Sequence, residues 1–150
     1  MTTQEAQEAI AVKHVNDLED EWSDALRVGC APSAKSRHVI TEFLQKNLAD
    51  NYTNIDHLGV SRSKAEDLRN CGEGLYLVQE LTNPAGDKLT NADKESRPYG
   101  DRCVVVVGKD KVRATFKGKD VSGKFIWTDT WVKFETQWKC VASHGSKLPD

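Results

Sequence analysis

A chain of 150 residues with a formal net charge of −2 is long enough for one domain with a buried core, and it lacks the basic field that would draw it to nucleic acid or anionic membrane. No stretch approaches the ~20 apolar residues of a membrane helix. The N-terminal MTTQEAQEAIAVKHV has no apolar signal segment, so a cytoplasmic protein is expected. The cysteines, Cys30, Cys71, Cys103 and Cys140, are too scattered for a zinc site. Reduced thiols are expected, with no metal and no cofactor.

Residues Glu5–Val28 carry an apolar stripe at Ala11, Val15, Leu18, Trp22 and Ala25, which predicts an amphipathic helix closed by Gly29 and Pro32. A second helix is predicted over Ser33–Leu48, with Val39, Ile40, Phe43, Leu44 and Leu48 inward. The alternating stretch NYTNIDHLGV predicts a short strand ending at a turn near Gly59. Ser63 and Glu66 form a capping-box pattern that predicts a third, short helix closed near Gly72 or Gly74. Leu75–Thr82 reads as a strand. The polar segment Asn83–Arg102 reads as either a loop or an irregular strand pair. Cys103–Val107 is an apolar strand that can run on to Phe116.

The stretch VSGKFIWTDTWVKFETQWKCVASH predicts a hairpin turning at Glu135-Thr136. With Phe134 opposite Gln137, strict pairing sets Trp131 against Cys140, Asp129 against Ala142 and Trp127 against His144. Trp127, Asp129, Trp131, Trp138, Cys140, Ala142 and His144 then share one face. Whether that face or its reverse, with Ile126, Thr128, Thr130 and Val132, looks inward is open at this point. Helices first and strands last predict an α+β fold, a curved antiparallel sheet packed with three helices from the N-terminal half. The basic run Lys109, Lys111, Arg113, Lys117, Lys119 and Lys124 is interleaved with Asp110 and Asp120 and reads as a solvated outer face.

The segments LEDEWSDAL, NYTNIDHLGVSRSKAEDL and YGDRCVVVVGKDKVRATFKGKDVSGKFIWTDTWVKFETQWKCVASH resemble the SnoaL-like, ketosteroid-isomerase-like branch of the nuclear transport factor 2-like superfamily. The resemblance implies one domain over residues 1–150, a cone-shaped fold and a homodimer built on the outer sheet face. It implies no single activity, because enzymes and non-catalytic binding modules share this fold.

The candidate chemistry follows from residue types. Asp56 falls where the resemblance implies the general base of ketosteroid isomerase; its other reading is an acceptor for the turn that follows it. Asp129 and His144 form a second candidate, either as an acid–base or oxyanion pair or as a self-satisfying buried pair. Trp22, Tyr52, Trp127 and Trp131 are candidate walls for a small hydrophobic molecule, or else plain core. Arg62 is either a mouth residue for an anion or a solvated one. The expectation is a ligand-binding cone, with cofactor-free acid–base catalysis as an open question. The rival is a non-catalytic dimerisation or carrier module, whose pocket would be filled by its own tryptophans.

Overall fold

The computed structural model describes residues 2–33 and 35–149. Helix α1 spans Thr3–Gly29, and the Thr2 hydroxyl caps it by accepting from the Glu5 amide at 3.0 Å. Its buried face comprises Ala11, Val15, Glu19, Ala25 and Gly29. Helix α2, His38–Asn47, starts later than the predicted Ser33. The helices cross closely at Gly29, where a Cβ would stand 2.5 Å from Ile40. Strand β1, Leu48–Ile55, follows α2 directly, so it begins before the predicted Asn51.

A short strand β2, Ser61–Ser63, leads into α3, Lys64–Gly72. The predicted capping box is present, with Ser63 and Glu66 satisfying each other's amides. The buried Lys64 ammonium donates to the Gln45 and Leu48 carbonyls at 2.8 and 2.9 Å, tying α3 to the turn between α2 and β1. Strand β3 is Tyr76–Thr82. The uncertain segment after it contains a 3₁₀ turn, Asn91–Asp93, and strand β4, Lys94–Pro98. Strand β5 runs unbroken over Cys103–Phe116. It is followed by β6, Lys119–Asp120, then β7, Gly123–Phe134, and β8, Gln137–Lys147.

The strands form one strongly curled sheet in the order β2-β1-β8-β7-β5-β3. The predicted α+β cone with three helices is the observed architecture. The sheet is mixed rather than purely antiparallel, because β1 pairs with β8 in parallel. The outer edge of β5 is shared: β4 takes its first half, Val104 to Gly108, and β3 its second, Lys111 to Phe116. No helix is long and apolar enough to cross a membrane among the described residues.

The final hairpin departs from its predicted register at one point. Phe134 faces Gln137 and Trp131 faces Cys140 as expected, but Thr130 faces Ala142. Val141 is therefore an extra residue, a β-bulge that reverses the facing of everything beyond it. Asp129 pairs with Ser143 and Trp127 with Gly145, while His144 opposes Thr128. The tryptophan face looks inward: Trp131 is fully buried, Trp22 packs edge-on against it with centroids 6.1 Å apart, and Phe43 lies 5.6 Å from Trp22.

The inner floor of the sheet depends on Gly108. A Cβ there would lie 2.2 Å from Trp127 Cζ2, so the indole lies flat across the glycine. Gly108→Ala is expected to lower stability by about 1–3 kcal/mol through overpacking, read as a shift in the urea midpoint.

Candidate functional site

Between the helices and the inner face of the sheet lies a cavity of about 400 Å³. Its walls combine Trp22 and Leu26 of α1, Tyr52 of β1, Tyr76 of β3, Phe116 of β5 and Phe125 with Trp127 of β7. Side chains of Glu19, Asp67, Asp110 and Asp129 enter the same lining. Such a space, mostly apolar with a few convergent polar groups, is the form of a small-molecule site.

Glu19 and Asp129 lie against each other and are only 5 % and 7 % exposed. Trp131 Nε1 donates to Glu19 Oε1 at 2.8 Å. Burial first, then the neighbouring Asp129 charge, holds Glu19 well above the usual carboxylate range. Burial also raises Asp129, with hydrogen bonding from Glu19 and Ser143 and the charge of Lys94 acting in the opposite sense. Burial and mutual charge act on both carboxyls, so the pair resists carrying two negative charges at once. Burial pushes Asp110 to about 7, offset in part by hydrogen bonding to Trp127. Burial likewise pushes Asp67 to about 6, although Asn54 Nδ2 donates to it at 3.3 Å.

Trp22, Tyr52, Asp56, Trp127, Asp129 and His144 all contribute to the lining of the cavity. Trp131 lies behind it, holding Glu19 rather than facing the space. Asp56 sits at the rim in its turn: it accepts from the Leu58 and Val60 amides, both at 2.9 Å, and pairs with Arg62 at 2.8 Å. Those bonds outweigh desolvation and hold its carboxyl below the usual range, which suits a turn anchor better than a general base. Arg62 is accordingly an intramolecular partner, stacked 5.0 Å over the Phe116 ring, rather than a solvated residue. His144 is exposed where it joins the cavity lining, and it opposes Thr128, because the bulge at Val141 sets Ser143 opposite Asp129.

Neither a family model nor a curated protein matches this sequence. Solved structures do. An NTF2-like protein from Cytophaga hutchinsonii superposes with a TM-score of 0.73 at 17% identity, over 91% of this chain and 97% of that one. The fold is that of NTF2-like proteins. An NTF2-like protein of unknown function in nutrient uptake from Rhodospirillum rubrum gives a TM-score of 0.70 at 22% identity, over 90% and 98% of the two chains. A nuclear transport factor 2 (NTF2-like) superfamily protein from Salmonella enterica gives 0.64 at 13% identity, over 95% and 94%.

Within this NTF2-like cone, three acids escaped the sequence reading. Glu19 follows Val15 by four residues and precedes Trp22 by three, which places it on the apolar stripe of α1. Asp110 continues the inward alternation Val104, Val106, Gly108 and precedes Val112. Its lysine neighbours made it look like part of a solvated run. Asp67, on α3, carries no comparable pattern.

A carboxyl whose value is raised in the folded state keeps its proton where the unfolded chain has lost it, so stability falls as pH rises through the interval. For Asp110 that interval runs from its ordinary 3.8 to about 7. Asp110→Asn is expected to flatten the decline across this range and to be more stable than the parent above it. Urea titrations of both proteins at matched pH check this; parallel slopes would refute it.

Proposed function

We propose that this protein binds a small, largely apolar molecule in its cone, with the molecule's polar end meeting the carboxyls of the floor. The observation that carries this reading is the cavity itself. A self-filled pocket, the expectation for a purely structural module, would have placed the tryptophans inside it. Here Trp131 is withdrawn into the core and Trp22 and Trp127 stand as walls around about 400 Å³. Among the candidate acids, Asp129 with its partner Glu19 is the pair that faces the ligand space.

The test uses Nile red, an uncharged apolar dye, and the variant Val112→Trp, which places a bulky ring in the cavity wall. One dye per chain is expected, with affinity falling by at least about tenfold in the variant, equivalent to about 1.4 kcal/mol. Unchanged affinity in a folded Val112→Trp would place the dye outside the cone and defeat the reading.

A second reading is cofactor-free acid–base catalysis of the kind found in the SnoaL-like branch. Asp67 and Asp110, at about 6 and about 7, favour it, because a carboxyl poised near neutral pH both takes and returns a proton. We also propose a homodimer through the outer sheet face. On that face Cys103, Val105 and Val107 of β5 lie beside Thr128, Thr130 and Val132 of β7, and all six are only partly buried. Sedimentation equilibrium is expected to show a dimer that Val105→Glu dissociates; a monomeric parent would end this proposal.

A further inference from the structure

The cavity wall is unbalanced in charge. Glu19, Asp56, Asp67, Asp110 and Asp129 line it, against Arg62 as the one lysine or arginine and the two histidines His57 and His144 among its described lining residues. Arg62 is engaged by Asp56 at 2.8 Å. Lys94 pairs with Asp20 at 2.7 Å, and its charge reaches Glu19 and Asp129 from outside the lining. Asp110 has no cation within ion-pair distance among the described residues; the groups acting on it are Trp127 and the like-charged Asp129. A carboxylate enclosed in this way is costly unless a positive charge meets it.

The floor beside Asp110 is aromatic. Gly108 pairs with Trp127, Asp110 with Phe125 and Val106 with Asp129, and the Trp127 indole lies flat over Gly108. The ring therefore spans the floor between Asp110 on one side and Asp129 on the other. An indole face attracts an ammonium, most strongly when water is excluded. A flanking carboxylate adds a charge-assisted hydrogen bond. The acids are spread around the walls, and no group of three His, Cys, Asp or Glu side chains is placed to hold a metal ion among the described residues. The complementary charge is thus that of an organic cation.

Resting on the reading of the cone as a ligand site, we infer that its ligand is an apolar amine in its ammonium form, lying on Trp127 with its charge against Asp110. The same wall repels carboxylates of equal size and shape.

Isothermal titration of the full chain with three compounds sharing one naphthalene body tests this: 2-(1-naphthyl)ethylammonium, 2-(1-naphthyl)ethanol and 1-naphthylacetate. The ammonium is expected to bind at least about tenfold more tightly than the alcohol, and the acetate more weakly than either. Asp110→Asn is expected to lower the ammonium's affinity by at least about tenfold, to that of the alcohol, and the alcohol's by much less, with Nile red binding reporting an intact cavity. Equal binding of ammonium and alcohol, or tighter binding of the acetate, overturns the cation assignment and leaves the apolar cone standing. An equal loss for both compounds in Asp110→Asn overturns Asp110 as the anchor. Failure of all three to bind the parent overturns both readings.

Discussion

The hydrogen bond from Trp131 Nε1 to Glu19 joins the helical layer to the sheet at the point where both are dry. It solves two problems at once. A fully buried indole needs an acceptor, and a carboxyl on the apolar stripe of α1 needs a donor. On the helix held at this height, Trp22 seats edge-on against Trp131 and forms part of the cavity wall. The space beneath it is the cavity. An apolar residue in place of Glu19 would leave the indole N–H without a partner, and a shorter one would leave a gap where the layers meet.

The parts of the fold set by local chemistry were legible in the chain. Ser63 and Glu66 announced α3, the stripe on α1 announced its buried face, and alternation put Trp127, Asp129 and Trp131 on one face, though which face looks inward was settled only by packing against α1. What failed were features decided by tertiary contacts. The bulge at Val141 leaves no mark in a run such as KCVASH, yet one extra residue exchanged His144 for Ser143 beside Asp129. Strand β4 was hidden because its residues, KESRP, are polar; it forms since β5 offers a free edge and since Lys94 reaches Asp20 on α1. Asp110 was misread because charge composition was weighed above position. Its two lysine neighbours face outward, and period two alone would have sent it inward.

The acids of the cone also explain why a fold shared so widely need not share a function. The curled sheet and three helices define a space, whereas the groups that give it chemistry sit on separate elements: Glu19 on α1, Asp67 on α3, Asp110 on β5 and Asp129 on β7. Each can change without altering the architecture. At identities of 17% and 22% to solved NTF2-like structures, the shape is retained while the lining is free to differ.

The parallel pairing of β1 with β8 has a consequence for assembly. Leu48 and Ile55 take their partners from Cys140 and His144, so a strand from the first third of the chain waits on one near residue 140. Until β8 is present, β1 has only the short β2 beside it, and the sheet stays open between β1 and β7. Such distant closure makes folding slow compared with a helical bundle of equal length. The enclosure that desolvates Glu19, Asp110 and Asp129 needs strands from both ends of the chain, so their raised proton affinity belongs to the closed sheet and not to its separate pieces.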